Sequence, residues 1–174
     1  MKDLTKRIEV AANIAIIVVA LLIVGVAVKR YWLTDQPARS NPQIIVNSKV
    51  SLQNVDWTKN DQTLLLVLQK GCRFCNESAP FYRRLAQSAA TGRSNTQLIA
   101  VLPQDTGESR AYLNDLDVPI EAKQATVGSL GASGTPTLIL VNRAGEVKAS
   151  WVGKLPAEKE AEVLSRVETQ RASN

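Results

Sequence analysis

The stretch QKGCRFCNESAP, residues 69–80, holds both cysteines of this 174-residue chain, Cys72 and Cys75, with two residues between them. Directly before it runs an apolar segment, Leu64–Leu68, which predicts a strand buried on both faces. After it, apolar residues recur at spacings of three and four, which predicts a helix carrying Ala79, Tyr82, Leu85, Ala86 and Ala89 on one face. The two thiols are therefore expected where a buried strand passes into a helix.

The composition excludes several kinds of site. The chain has no histidine, which removes zinc fingers of the Cys/His type, a Ser-His-Asp triad and a histidine-ligated haem. Two cysteines cannot supply the four ligands of a structural zinc site, and Asn76 stands where c-type haem attachment needs histidine. No metal is expected. What remains is a dithiol/disulfide pair, which is either redox-active or a small structural staple.

The predicted position of the pair gives the two thiols different chemistry. Free backbone amides at a helix N-terminus favour a thiolate over a thiol, and Lys70 and Arg73 add formal positive charge nearby. Cys72 is therefore expected to be an exposed nucleophile of low pKa, and Cys75 a more buried resolving thiol. Cys72 would attack a partner disulfide and Cys75 would release the reduced partner, or the same steps would run in reverse.

The rest of the globular part alternates between predicted strands and helices, which indicates an α/β domain. Residues 43–52 predict a strand or hairpin, and a later strand is predicted to turn at residues 143–145 into an antiparallel partner. The other elements are a strand at 96–103, a helix at 107–116, a short strand at 118–122 and a last strand at 135–142 before the turn. A final helix is predicted from Pro156, with Ala157, Ala161, Leu164 and Val167 on its apolar face.

The strand, the CxxC pair and the helix, followed roughly sixty residues later by GTPTLILVNRAGEV, resemble the thioredoxin superfamily over residues 43–170. In that family a cis-proline faces the two cysteines, and Pro136 stands at the matching position, preceded by Thr135. The family also has a proline five residues after the second cysteine, which is Pro80 here. The resemblance implies a central mixed sheet flanked by helices and a thiol-disulfide oxidoreductase. It also implies that Thr135 offers its backbone to a bound substrate segment.

Among the branches of the superfamily, the chain is most similar to the membrane-anchored TlpA/ResA-like proteins. They share an amino-terminal anchor, an added hairpin before the core and extra helix-strand material, roles that residues 43–52 and 107–122 could fill. This resemblance implies an extracytoplasmic enzyme that exchanges disulfides with a protein partner. A redox-active Cys72–Cys75 disulfide would serve in place of any cofactor.

The chain departs from the family pattern around the cysteines. Gly71 replaces the usual tryptophan, Phe74 replaces the usual proline inside the motif, and Leu66 replaces a buried acid. Ser78 stands where TlpA/ResA-like proteins often carry glutamate, with Glu77 one position earlier. These departures keep two alternatives open: a static structural disulfide, and a non-enzymatic accessory subunit of a membrane complex.

The amino-terminal part predicts a membrane anchor. Residues 10–28 are almost wholly apolar and would form a helix of roughly 28 Å, close to the hydrocarbon thickness of a bilayer. The predicted organisation is a cytoplasmic head at 1–9, an anchor at 10–30, a linker at 31–42 and a thioredoxin-like domain at 43–174. A cleaved secretory signal is the alternative.

Charge bears on topology and on partners. Basic residues flank the apolar segment on both sides, so the shortness of the head favours an amino terminus inside. The domain would then lie on the periplasmic side of the inner membrane. The net charge is +5, but residues 31–174 show no dense basic patch with interleaved aromatics, so no nucleic-acid partner is expected.

Overall fold

The computed structural model describes residue 17, residue 44, residues 46–91 and residues 95–168. The chain divides into two compact units, Met1–Asn41 and Pro42–Asn174. In the first unit the described residue is Ile17, which is helical and exposed. The rest of the predicted head, anchor and linker lies outside the described residues. Within the part that is described, none of the helices combines the length and apolarity needed to cross a membrane.

A five-stranded mixed sheet forms the centre of the second unit, in the order β3-β2-β1-β4-β5. The strands are β1 (Gln62–Val67), β2 (Thr96–Leu102), β3 (Glu121–Gln124), β4 (Thr137–Asn142) and β5 (Val147–Val152). Strand β1 pairs in parallel with β2 and antiparallel with β4, while β2–β3 is parallel and β4–β5 antiparallel. The predicted hairpin is confirmed, because β4 returns as β5 through residues 143–145.

Helices cover one face of this sheet. The described α-helices are α1 (Arg73–Glu77), α2 (Ala79–Ala90), α3 (Thr106–Asp115) and α4 (Ala157–Glu168). Apart from Ala79, their buried apolar side chains join a single core cluster, on the side of the sheet to which Leu64 and Leu66 point. The opposite face is covered by two 3-10 turns, Trp57–Lys59 and Val127–Leu130, and by the segment that precedes β1.

Strand β1 is buried on both faces, as its apolar run predicts. All six of its residues are buried, and successive side chains of a strand point to opposite faces. Leu64 and Leu66 enter the cluster on the helical side, whereas Leu65 and Val67 enter the cluster on the other side. This burial places β1 at the middle of the domain.

In the segment 43–52, the described residues 44 and 46–52 do not form the predicted strand or hairpin. These residues make one isolated bridge, Lys49 to Glu146, beside the start of β5. Asn47 has a φ of 72°, in the left-handed region, so the chain turns where a strand would continue. Its amide donates to the carbonyl of Val147 at 2.8 Å, and the amide of Val147 donates to the carbonyl of Ser48 at 2.9 Å.

Two further expectations need correction. The strand predicted at 118–122 lies instead at Glu121–Gln124. Asp117 has a φ of 57°, and the amide of Val118 donates back to Leu113, so these residues close α3 before pairing with β2 begins.

The face of the last helix is the second correction. Ala157 and Ala161 are exposed and Leu164 is half-buried, while the fully buried residues of α4 are Val163 and Val167. Valine buries more apolar area than alanine, so packing turns the valine pair towards the sheet. Helix α4 is also held against α2 by the Arg84–Glu160 ion pair.

The position of this face generates a stability prediction. Val163→Ala removes fully buried methyl groups, and we expect it to lower the free energy of unfolding by about 2 kcal/mol. The control Ala161→Ser alters an exposed site on the same helix and should stay within about 0.5 kcal/mol of wild type. Denaturant unfolding of both variants measures the difference. Equal losses in the two variants would contradict the observed face.

Candidate active site

The loop after β1 carries the chain to the first cysteine. Its last residue, Gly71, has a φ of 80°, in the region that side chains disfavour. A Cβ built at Gly71 would meet nothing within 4 Å, so the backbone conformation rather than lack of space favours glycine. This turn explains why the position before Cys72 holds no tryptophan.

Cys72 lies at the start of α1 and is partly exposed. Its Sγ accepts a hydrogen bond from the backbone N–H of Cys75 at 3.2 Å. The thiol of Cys72 also lies 3.4 Å from the carbonyl oxygen of Thr135, to which it can donate. The Thr135–Pro136 bond is cis. The fold therefore brings Thr135 and Pro136 to Cys72 from more than sixty positions further along the chain.

The pKa of Cys72 lies below its ordinary value. Burial acts to raise this pKa, but hydrogen bonds from the Cys75 side chain and from the backbone amides of Cys75 and Phe74 outweigh it. These donors stabilise the charged sulfur. Cys72 is consequently the more acidic thiol of the pair.

The predicted contribution of Lys70 and Arg73 to that acidity is wrong. Lys70 Nζ pairs with Glu108 at 2.6 Å, and Arg73 Nε pairs with Glu77 at 2.7 Å. Both cations are therefore neutralised by carboxylates at the surface, where solvent and salt weaken what remains of their field. The sequence could not show the Lys70–Glu108 pair, because Glu108 belongs to a helix that follows the next strand. The spacing of four residues between Arg73 and Glu77, in contrast, is visible in the sequence.

Cys75 differs sharply from Cys72. Its side chain is fully buried in the cluster on the helical side. Burial raises the pKa of Cys75 to about 12, and its hydrogen bond with Cys72 raises it in the same direction. Cys75 therefore holds its proton at neutral pH while Cys72 tends to lose its own.

The carboxylate nearest in sequence does not serve Cys75. Glu77 accepts hydrogen bonds from Arg73 at 2.7 Å and from Lys154 Nζ at 2.9 Å. These partners, Lys154 above all, hold the pKa of Glu77 below its ordinary value. Leu66, at the position of the family's buried acid, is fully buried and apolar. The resolving thiol thus lacks the carboxylate that the family pattern would supply there.

Pro80 marks a helix boundary. It is the second residue of α2, and α1 ends at Glu77 with Ser78 between the two helices. Proline has no N–H to donate to the preceding turn, so the regular bond to the carbonyl of Asn76 is missing. The Ser78 hydroxyl donates to the Phe74 carbonyl at 2.8 Å and fixes this junction.

Apolar side chains are exposed at the same end of the sheet. Phe74, inside the cysteine motif, is 51% exposed, and Val152, at the end of β5, is 47% exposed. The register places Val152 opposite Thr137, and the Gly153 amide donates to the Pro136 carbonyl at 2.7 Å. Sequence reasoning missed Val152, because its place beside the site depends on strand pairing.

A link between α3 and the cysteine helix was also missed. The Tyr112 hydroxyl donates to Oδ1 of Asn76 at 2.7 Å. Together with the Lys70–Glu108 pair, it joins α3 to both ends of the region around the cysteines. Across the described ranges, no group of three or more cysteine or carboxylate side chains is placed to hold a metal ion.

The difference between the two thiols can be measured by alkylation against pH. In Cys75→Ser, the rate at which Cys72 reacts with iodoacetamide should rise with pH to a plateau. The midpoint of this rise should lie below the pKa of ~8.5 of a free thiol. In Cys72→Ser, Cys75 should react far more slowly, because it is buried and protonated. Denatured samples of both variants, which should react equally, are the control. Equal rates and equal midpoints in the two folded variants would contradict the assigned asymmetry.

No family model matches the chain, and no curated protein matches it. Solved structures do resemble it, at identities that show the fold alone. A protein from Chlorobium tepidum described as a thiol:disulfide interchange protein DsbE is 23% identical, with a TM-score of 0.54, and the match covers 68% of this chain and 93% of that one. A thiol-disulfide isomerase from Corynebacterium glutamicum is 14% identical, with a TM-score of 0.54 and coverage of 71% and 92%.

The thioredoxin domain of a thiol-disulfide oxidoreductase from Bacteroides vulgatus is likewise 14% identical. Its TM-score is 0.55, and the match covers 71% of this chain and 98% of that one. These structures and the sheet order agree with the resemblance drawn from the cysteine motif and the cis-proline. The chain has a thioredoxin-like α/β fold, with a central mixed sheet of five strands and helices packed against it.

Proposed function

We propose that this protein is a thiol-disulfide oxidoreductase that exchanges disulfides with protein partners through Cys72 and Cys75. The observation that supports the proposal most strongly is that the pKa values of two neighbouring thiols are shifted in opposite directions. One is partly exposed with a lowered pKa, and the other is buried with its pKa raised to about 12. Attack needs a thiolate that a partner can reach, whereas resolution needs a second thiol held beside it.

The reaction proceeds in two exchanges. The Cys72 thiolate attacks a partner disulfide, forms a mixed disulfide and expels one partner sulfur as a thiolate. Cys75 then loses its proton and attacks Cys72 Sγ, which forms the Cys72–Cys75 disulfide and expels the second partner sulfur. The proton from Cys75 ends on a partner thiolate, so the partner is reduced and the cysteine pair is oxidised by two electrons. The reverse sequence oxidises a partner dithiol.

A static disulfide explains these features less well. Cys72 and Cys75 would close a loop of minimal length, and short loops gain the least from cross-linking the unfolded chain. A purely structural disulfide would also gain little from backbone amides that donate hydrogen bonds to one of its sulfurs. The names of the solved relatives, which are interchange proteins, an isomerase and an oxidoreductase, support exchange chemistry.

The surroundings of Cys72 suit an extended protein segment. The half-buried Thr135 would pair its backbone with the segment in the manner of a strand. The exposed side chains of Phe74 and Val152 would then contact apolar residues next to the partner cysteine. A protein thiol or disulfide therefore fits the site better than a small thiol alone.

Trapping tests the proposed exchange. Cys75→Ser keeps the attacking thiolate but removes resolution, so mixed disulfides with partners should accumulate. Cys72→Ser, the matched control, should capture nothing. Non-reducing electrophoresis followed by reduction measures both. A Cys75→Ser variant that captures no protein in its native cell, although Cys72 is free, would favour the accessory-subunit alternative.

For location, we propose that residues 10–28 anchor the protein in the inner membrane, with the domain on the periplasmic side. The support is the length and apolarity of that segment and the short head before it. A domain outside the cytoplasm would also meet proteins whose cysteines form disulfides.

This location predicts that the protein stays in membranes after washing with high salt and alkali, because an apolar helix is not held by charge. External protease should digest the domain in spheroplasts, while a cytoplasmic marker stays intact. Protection of the domain until lysis would reverse the topology. Release by the washes would instead favour cleavage of the segment.

A further inference from the structure

The resolving step raises a chemical problem at Cys75. This thiol must ionise in order to attack, yet it is fully buried and its pKa is raised to about 12. Leu66 and the surface-paired Glu77 leave it without the carboxylate of the family pattern. A buried thiolate without a charged partner needs hydrogen-bond donors to form at a useful rate.

Tyr82 lies on the same inner face of the helix pair as Cys75. The row Cys75, Ser78 and Tyr82 has spacings of three and four, and all three residues are buried. The Tyr82 amide bonds to the Ser78 carbonyl at 3.2 Å, so helical geometry continues across the junction. Long side chains on a helix point back towards its N-terminus, and the Tyr82 ring therefore extends towards Ser78, which lies between Tyr82 and Cys75 on this face.

The Tyr82 hydroxyl is fully buried and makes no hydrogen bond of regular geometry among the described atoms. Native proteins retain few such groups, because an unsatisfied buried hydroxyl is destabilising. Tyr112, in the same core cluster, differs on this point. Its hydroxyl already donates to Asn76 at 2.7 Å. Of the two tyrosines, Tyr82 thus has the proton that is not held in a regular hydrogen bond.

The pKa of Tyr82 agrees with a position of its hydroxyl near Cys75. Burial raises the pKa of Tyr82 well above its ordinary value, and the nearby Cys75, Tyr112 and Cys72 raise it further. A hydrogen-bonding interaction with the Ser78 side chain, outside the regular geometry of a hydrogen bond, acts in the opposite direction. Tyr82 therefore remains protonated and acts as a donor, not as a base.

We propose that the Tyr82 hydroxyl donates a hydrogen bond to the Cys75 thiolate as it forms, and so accelerates resolution of the mixed disulfide. This inference rests on the proposed exchange function. The proton of Cys75 still passes to the departing partner thiolate, and Tyr82 keeps its own proton throughout. Tyr82 would be idle while Cys75 is protonated, which accounts for its lack of a regular hydrogen bond in the reduced protein.

The proposed role of Tyr82 can be tested by reacting the full-length chain with Ellman's reagent, a small aromatic disulfide. The first coloured thiolate is released when Cys72 forms the mixed disulfide, and the second when Cys75 resolves it. Tyr82→Phe should leave the first phase unchanged and slow the second about tenfold or more, because hydrogen bonds to charged groups are the stronger class. The midpoint of the second phase against pH should rise by about one unit. Tyr112→Phe loses a hydroxyl that is already used elsewhere and should keep both phases within about twofold of wild type.

Stability separates this role from a structural one. Removing an idle hydroxyl should leave the reduced Tyr82→Phe protein as stable as wild type or more stable. A loss of stability together with slowing of both phases would indicate a structural role and overturn the inference. Should Tyr82→Phe fold poorly, fluorotyrosine at position 82 keeps the shape and strengthens the donor, so the second phase should quicken. An unchanged second phase in that protein would also overturn it.

The two proposals fail in different ways. If wild type releases one thiolate per chain and stops, Cys75 does not resolve and the exchange function itself is wrong. If wild type releases two and Tyr82→Phe matches it in both phases, the exchange function stands and the role of Tyr82 is wrong.

Discussion

Strand β1 is buried on both faces along its length, and it ends beside the start of β4, where Val67 lies opposite Thr137. A strand in that position can continue only through a tight turn, which Gly71 provides with its left-handed backbone. Cys72 therefore emerges at the sheet end that also presents Thr135 and Pro136. Helix α1 must then pack over the sheet, which turns Cys75 into the core. The geometry of the pair follows from the burial of one strand.

The same geometry explains why the pKa of Cys72 is lowered and that of Cys75 is raised. Backbone amides at the start of α1 face Cys72 because no residues precede them in the helix. Burial acts on Cys75 because it lies one turn further along. The surface cations contribute little, since Glu108 and Glu77 neutralise Lys70 and Arg73. Because backbone amides and burial set these two pKa values, the values should depend only weakly on ionic strength. Values set by exposed charges would depend on it more strongly.

Most of the fold could be predicted from local sequence patterns. Strand β1, the position of the cysteine pair and the proline at 136 were each predicted from a few neighbouring residues, because burial and backbone constraints act locally. Most of what could not be predicted depended on contacts distant in sequence. The carboxylate partner of Lys70, the exposure of Val152 beside the site and the buried face of α4 all follow from packing between separate elements. The partner of Arg73 is an exception, since Glu77 lies four residues further along the same helix. The prediction of a strand at 43–52 was wrong for another reason. Among the described residues of that segment, Asn47 lies in a turn where the apolar pattern indicated a strand.

The most direct test of the account is the reduction potential of the cysteine pair as a function of pH, measured by equilibrating the full-length chain with glutathione. Oxidation releases two protons while both thiols are protonated, and one proton once Cys72 is a thiolate. The slope should therefore fall from about 59 to about 30 mV per pH unit at the pKa of Cys72, below that of a free thiol. It should then stay near the lower value well into the alkaline range, because the pKa of Cys75 is raised to about 12. A pair that forms no reversible disulfide, or a slope that passes through two closely spaced breaks, would contradict the account.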